Sequence, residues 1–171
     1  ILSEIDNAFR NIVHKKIIYT VIMKIIIPRL IISKLIEHSL IEDPKECCGY
    51  LMGKENEVES IFNCKNIHES PVKRYSVDPL DQISAEKYAD ENKLDVIAIY
   101  HSHTLSQAYP SPTDVSNAVE SGWTQPIYVL ISLVEKTRPI IRAFNISEDK
   151  SVEEVIIEHD GEAYISPTEN S

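Results

Sequence analysis

Glycine and clusters of basic residues are scarce in this sequence, which excludes two classes of binding site. Only four glycines occur among its 171 residues, too few for a glycine-rich loop around a phosphate group. Lys15-Lys16 and Lys73-Arg74 are the only adjacent basic pairs, and 27 acidic against 17 basic residues give a net charge of −10. Because a phosphate backbone needs a stripe of basic side chains, this charge balance argues against binding of nucleic acid.

Long hydrophobic runs and paired cysteines are also missing. The apolar stretch 17–27 is interrupted by Lys24 and closed by Pro28, so it is shorter than the roughly 18–20 residues that a membrane span requires. None of the three cysteines belongs to a Cys-x-x-Cys pair, and we expect them to be buried and reduced. An odd count suits a reducing compartment, so we expect a cytoplasmic protein without a membrane span.

The length favours a single domain with a hydrophobic core. Met23 resembles a natural start, so residues 1–22 are expected to be an extension outside the domain. Three interpretations of that extension are open: an added helix, a partner-binding arm, or sequence upstream of the true start. The domain is expected to cover residues 23–158, and residues 159–171 are expected to form a polar tail.

Hydrophobic periodicity and turn residues predict an α/β (α+β) protein, in which strands and helices alternate without a strict βαβ repeat. The polar stretch 63–78 is long for a simple connection, which favours a functional loop. The predicted strands are 24–27, 47–52, 58–62, one from 96 that carries two histidines, 126–134, 139–146 and 152–158, and the predicted helices are 28–42, 79–92 and 112–121.

The strongest chemical signal is His101-Ser102-His103, followed by Ser111 and Asp114. Residues two apart on a strand face the same side, so the two histidine rings lie next to each other. Two imidazoles and a carboxylate supply three zinc ligands and leave the fourth tetrahedral position open, which is typical of a catalytic site. Ser111 and Asp114 also have the spacing of a helix N-terminus, which would aim the carboxylate back at the strand.

A zinc hydrolase also needs a general base, and Glu46 is the candidate because it stands directly before the strand 47–52. On spacing alone, a solvated glutamate after the Pro44 turn is the better explanation. The other histidines lack a partner at a useful spacing, and we expect them at the surface or in loops; they are His14, His38, His68 and His159.

The segment Glu46-x-Cys-Gly-x-Leu-x-Gly, taken with His-x-His and Ser-x-x-Asp, resembles the JAMM (MPN-plus, Mov34-type) metalloprotease family. The resemblance covers roughly residues 23–158 and implies a cytidine-deaminase-like MPN fold, with a central mixed sheet flanked by helices. It implies one zinc ion per chain. In this sequence the implied zinc ligands are His101, His103 and Asp114; the implied water-activating residue is Glu46 and the implied oxyanion-stabilising residue is Ser111.

A narrower resemblance is to the small bacterial members that act on sulfur-carrier proteins, and it includes residues 99–104, 108–111 and 128–132. Asn66, Ser70-Pro71, Tyr75 and Asp78 also match. In those enzymes a ubiquitin-like carrier that ends in Gly-Gly becomes joined to cysteine, and hydrolysis of the amide releases both. The implied partner is therefore a carrier with a Gly-Gly tail, which we expect to add as a strand along the loop 63–78. A homodimer is left open.

Two other functions are open. One is an isopeptidase or deubiquitinase-like enzyme, which uses the same chemistry on lysine-linked conjugates. The other is a catalytically silent MPN scaffold that docks partners without metal. Such scaffolds usually lack the His-x-His pair or the aspartate, and this sequence has both.

Overall fold

Strands and helices alternate along residues 23–161, which are the residues that the computed structural model describes. The predicted extension 1–22, the tail from residue 162 and His14 lie outside them. The predicted order of elements is confirmed. The elements are β1 (Lys24–Ile26), α1 (Arg29–Glu42), β2 (Cys48–Lys54), β3 (Glu57–Cys64), α2 (Pro79–Asn92), β4 (Asp95–His103), α3 (Pro112–Glu120), β5 (Ile127–Ser132), β6 (Ile140–Ile146) and β7 (Val152–Glu158).

The strands form one mixed sheet in the order β1-β3-β2-β4-β5-β6-β7. At its centre, β4 pairs antiparallel with β2 and parallel with β5. The sheet closes into a barrel because β1 pairs in parallel with both β7 and β3. The predicted mixed sheet with helices is confirmed, and its closure through β1 adds to that prediction.

Side chains of β4 alternate between two hydrophobic clusters, as the two-residue period of a strand requires. Ala98 and Tyr100 belong to the cluster that includes buried residues of α1. Ile99 belongs to the other cluster, which includes buried residues of α2 and α3. His101 and His103 continue the row of Ile99, so both rings are placed on the face of the sheet that α3 covers.

Two glycines let β2 lie close to its neighbours. A Cβ atom on Gly49 would collide with the Phe62 carbonyl oxygen and with the Tyr100 ring. A Cβ atom on Gly53 would collide with the backbone of Glu57. These two positions therefore require glycine, and they fix the strand that begins just after Glu46.

His38 is buried in α1, so its predicted surface position is wrong. Its Nδ1 lies 2.8 Å from the Tyr100 hydroxyl oxygen, and that hydroxyl donates a hydrogen bond to Asn63 Oδ1 at 2.8 Å. Burial lowers the pKa of His38, while the charge of Glu42 raises it. A neutral histidine can be buried on a helix face when its ring N–H donates to an acceptor such as this hydroxyl oxygen. The predicted loop positions of His68 and His159 are confirmed.

The three cysteines are free and buried, as predicted. Within residues 23–161, every helix is too short or too polar to cross a bilayer. The cytoplasmic location, the homodimer and the domain limits stay predictions.

Candidate metal centre and active site

His101 and His103, at the end of β4, meet Asp114 in the first turn of α3. The two histidine Nε2 atoms are 3.0 Å apart. Asp114 places Oδ1 at 3.5 Å from Nε2 of His101 and Oδ2 at 3.4 Å from Nε2 of His103. Ligand atoms around tetrahedral zinc, with bonds of about 2.0–2.1 Å, stand about 3.4 Å apart. The triangle therefore has the dimensions of three zinc ligands.

The hydrogen bond of His103 indicates what such a triangle can hold. Nδ1 of His103 lies 2.8 Å from the Gln107 carbonyl oxygen, which can only accept, so Nδ1 carries the hydrogen. In the neutral ring Nε2 is then a bare lone pair directed at His101 and Asp114. Lone pairs and a carboxylate that converge in this way require a shared proton or a metal cation between them. The residues present fit a metal ion.

The charges of the cluster favour an ionised Asp114. Burial would raise the pKa of Asp114, but hydrogen bonds from both histidines and from Ser111 hold it well below its usual range. Burial lowers the pKa of His101, against the opposing effect of Asp114. For His103, hydrogen bonds to Asp114 and Gln107 outweigh burial, so its pKa is raised. The site presents an anion to whatever cation it binds.

A capping box fixes the Asp114 carboxylate. The backbone N–H of Ser111 donates to Asp114 Oδ2 at 2.7 Å, and the backbone N–H of Asp114 donates to Ser111 Oγ at 3.2 Å. Pro112 occupies the first turn, where its missing N–H costs no helical bond. The predicted helix start is confirmed, and it directs the carboxylate toward β4.

The His101 ring is held by stacking. The Tyr75 ring stacks on it, with centroids 4.3 Å apart and planes inclined by 27°. Among the described residues no hydrogen bond reaches Nδ1 of His101, whereas metal-binding histidines usually donate from their second nitrogen. Burial and the nearby Asp114 charge raise the pKa of Tyr75 well above its ordinary value, so it stays a neutral phenol. The spacing of residues in the sequence did not predict a role for Tyr75 at the site.

Glu46 is buried beside this cluster, with 6% of its surface exposed. The solvated position that spacing alone favoured is wrong. Burial raises the pKa of Glu46 to about 7, while the charge of His103 lowers it and that of Asp114 raises it. The Glu46 carboxyl group is therefore buried within the electrostatic influence of both His103 and Asp114.

The middle residue of His-x-His ties the Glu46 segment to the metal cluster. Ser102 Oγ accepts the backbone N–H of Cys47 at 2.8 Å, and the backbone N–H of Ser102 donates to the Cys47 carbonyl at 3.1 Å. Cys47 directly follows Glu46. These two bonds therefore set the position of Glu46 relative to both histidines.

The loop 63–78, whose first two residues the structure places at the end of β3, holds Glu46 from the other direction. The Glu46 N–H donates to the Pro71 carbonyl at 2.7 Å, and the Glu46 carbonyl accepts from Asn66 Nδ2 at 2.9 Å. Asn66 Nδ2 also donates to the Arg74 carbonyl at 3.0 Å, and its Oδ1 accepts two backbone N–H groups of the loop. One side chain thus organises the loop and fastens it to Glu46. Addition of a substrate strand to this loop stays a prediction.

Residues 28–147 match the model of the prokaryotic homologs of the JAB domain, a span that contains all five predicted site residues. The chain belongs to this family. A solution structure of protein DSY2949 from Desulfitobacterium hafniense superposes on this JAB domain with a TM-score of 0.72 and 29% identity, covering 81% of this chain and 94% of that one.

Two relatives have names that state an activity. A probable TtuB-protein conjugate cleaving protease from Thermus thermophilus is 36% identical over 116 residues, which are 68% of this chain and 72% of the relative. A CysO-cysteine peptidase from Mycobacterium tuberculosis is 32% identical over 117 residues, 67% of this chain and 77% of the relative. The predicted family is confirmed. This JAB-domain chain is a hydrolase of peptide or isopeptide bonds. The alternative function, a catalytically silent scaffold, is therefore not supported.

Proposed function

We propose that this protein is a zinc peptidase that hydrolyses the amide between the C-terminal glycine of a ubiquitin-like sulfur-carrier protein and cysteine. The products are cysteine and the free carrier. The observation that carries this proposal is the triangle of His101, His103 and Asp114 with the buried carboxyl group of Glu46 beside it. The relative named CysO-cysteine peptidase supports the substrate class.

In this proposal His101, His103 and Asp114 hold one zinc ion. Zinc bound there would lower the pKa of a water molecule and polarise the scissile carbonyl. The capping box and the Tyr75 stack keep the ligands in place before the ion arrives. The hydrogen on Nδ1 of His103 bonds to Gln107 and leaves Nε2 free as a ligand.

Glu46 serves as the general base and then as the general acid. It takes a proton from the attacking water and returns it to the nitrogen of the departing amine. A group that performs both transfers works best when its pKa lies near the working pH. Burial raises the pKa of Glu46 to about 7 in the metal-free site, and bound zinc would lower it from there.

Ser111 supplies a hydrogen-bond donor for the developing oxyanion. Its Oγ accepts the backbone N–H of Asp114, so the hydroxyl hydrogen is not needed for the helix cap. That hydrogen can point to the oxygen of the scissile carbonyl as negative charge builds there.

The sheet of seven described strands closes through β1, which pairs with β3 at a single position, between Ile26 and Glu57. The loop 63–78 has a single isolated bridge, between Asn66 and Val77, and remains the backbone with which an extended tail can pair. Deleting part of this loop is not a clean test of tail binding, because Asn66 and Pro71 also hold Glu46.

The test is release of cysteine from a ubiquitin-like carrier joined through Gly-Gly to cysteine, using the full zinc-loaded chain. Wild-type protein should release cysteine, and Glu46→Gln should lower turnover by about 10³-fold or more with zinc still bound. Equal turnover in the variant would contradict the role of Glu46. Bound zinc without cysteine release would contradict the proposed substrate.

A second candidate is cleavage of lysine-linked conjugates between a ubiquitin-like protein and a target. The relative named TtuB-protein conjugate cleaving protease favours it. Faster cleavage of a carrier-lysine isopeptide than of the carrier-cysteine amide would select this candidate.

A further inference from the structure

A small cavity adjoins the Asp114 side of the active site. Its volume is about 120 Å³, and its lining includes Ser111, Asp114 and four residues of the loop 63–78, which are His68, Lys73, Arg74 and Tyr75. Within residues 23–161, the side chains of Lys73 and Arg74 have neither a carboxylate nor another hydrogen-bond partner. A chain with a net charge of −10 thus places two uncompensated cations at the wall of its reaction site.

The geometry of an amino acid limits where its carboxylate can be recognised. When the leaving group is a single amino acid, its carboxylate carbon is two bonds, about 2.5 Å, from the nitrogen of the scissile amide. A protein group that binds this carboxylate must therefore line the reaction site itself. In a lysine-linked conjugate the leaving nitrogen is followed by four methylenes, and no free carboxylate lies near it.

The size of the cavity also favours a small occupant. A volume of about 120 Å³ has room for several water molecules, each of which needs about 10–15 Å³ of such space. This space accepts a carboxylate with a short side chain but not part of a folded protein. The carrier approaches through its extended tail, on the acyl side of the scissile bond, so its body is not the group that fills this space.

We propose that this cavity is the leaving-group subsite, in which Arg74 and Lys73 bind the free α-carboxylate of the released amino acid. The proposal rests on the peptidase function proposed above and specifies its leaving group as an amino acid with a free carboxylate. Arg74 offers a planar guanidinium that can bind a carboxylate through two parallel hydrogen bonds, and Lys73 adds a point charge.

Two substrates that differ only in this carboxylate test the proposal. One is the carrier joined to cysteine, and the other is the carrier joined to cysteine amide. Wild-type kcat/KM should be about 10- to 100-fold lower for the amide, the loss expected for one charge-assisted carboxylate contact. Arg74→Gln should lose a similar factor on the carboxylate substrate and little on the amide. Lys65→Gln, an exposed lysine of the same loop outside the cavity lining, should leave both rates unchanged.

A binding measurement supplies a second readout. S-methyl-L-cysteine presents the carboxylate of the product without a free thiol that would itself bind zinc. Calorimetry with the wild-type protein should give at least about 10-fold tighter binding for this amino acid than for its amide, and Arg74→Gln should remove the difference. If the carboxylate bound directly to the metal instead, Arg74→Gln would keep the tighter binding of the amino acid over its amide. That result would overturn the role of Arg74.

Equal cleavage of both substrates by the wild-type enzyme would overturn the subsite and leave the peptidase function intact. An equal loss on both substrates in Arg74→Gln would also overturn it, because the cations would then serve the carrier. If the wild-type enzyme cleaves neither substrate, the proposed peptidase function is contradicted, and calorimetry alone decides whether the cavity binds the amino acid.

Discussion

The active site has two parts that are built in different ways. His101, His103 and Asp114 come from one strand end and the helix that follows it, and their geometry depends on strand alternation and a capping box. Glu46 comes from the segment just before β2. Its backbone bonds to Asn66 and Pro71, and the adjacent Cys47 bonds to Ser102. The ligand part is determined locally, whereas the base part depends on contacts between distant segments.

This difference predicts that the two parts can fail separately. Removing the Asn66 contact from the loop 63–78 should move the base and leave the ligand triangle intact, as long as Tyr75 keeps its stack on His101. Damage to the triangle should remove the metal and leave the fold of the loop unchanged. The following changes test that independence, from the largest expected effect to the smallest.

His103→Ala should abolish turnover and metal binding together, because it removes one of three ligands and the bond to Gln107. Zinc content by elemental analysis and turnover of the conjugate measure both effects, and circular dichroism checks the fold. His159→Ala is the matched control, since its ring is exposed and lies outside the site. Full activity without bound metal in the His103 variant would contradict the metal site.

Ser111→Ala should lower kcat by about 10²- to 10³-fold, the usual cost of losing one oxyanion donor. It should also cost about 1 kcal/mol of stability through loss of the helix cap, whereas Ser111→Gly should cost only a few tenths. Turnover and denaturant unfolding of both variants separate the two roles. We expect Ser111→Ala and Ser111→Gly to lose the same activity but to differ in stability. An activity loss in proportion to the stability loss would contradict the oxyanion role.

Asn66→Ala should lower kcat by about 10- to 100-fold while zinc content stays at the wild-type level. The substitution removes the bond to the Glu46 carbonyl and three bonds that shape the loop. Asn92→Ala, which removes one exposed side-chain bond at the end of α2, is the control and should have no effect on kcat. Loss of zinc from the Asn66 variant would show that the two parts are not independent.

Glu46→Gln should stabilise the metal-free protein at pH 8 and not at pH 4. The folded state raises the pKa of Glu46 to about 7, so the wild-type protein loses stability as pH rises from about 4.5 to about 7. Glutamine avoids this penalty, about 1–3 kcal/mol in the plateau above pH 7, or several degrees in Tm. Thermal unfolding at both pH values measures the effect. If Glu46→Gln raised Tm equally at pH 4 and pH 8, the charge of Glu46 could not be the cause of the stabilisation.

Saturating zinc should abolish the stabilisation that Glu46→Gln gives at pH 8. A bound cation favours the charged carboxylate, so it lowers the pKa of Glu46 and removes the advantage of glutamine. For the same reason, the acidic limb of the activity profile should lie below pH 7, with activity lost as pH falls through the lowered pKa.

The local part of the site could be predicted from the sequence because short-range rules determine it. A two-residue period places His101 and His103 on one face, and a three-residue spacing defines the cap that aims Asp114. The same rules predicted the strands and helices, because their apolar patterns and turn residues act over a few positions. The barrel closure was not predicted, since it depends on β1 meeting β3 and β7 far along the chain.

The contacts that surround the site could not be predicted by spacing. Burial of Glu46 depends on a loop that folds back over it, and no local pattern encodes that return. Asn66 and Tyr75 matched the family resemblance, yet their bonds to Glu46 and their stacking on His101 arise only in three dimensions. His38 was misplaced for the same reason, because its acceptor lies 62 residues away.

The capping box has a consequence for metal affinity. A free aspartate side chain loses rotational entropy when it binds an ion, and that loss weakens binding. Here the bond from the Ser111 N–H already fixes the Asp114 carboxylate when α3 folds. The ordering is therefore complete before the ion arrives, and this preorganisation should slow release of the metal.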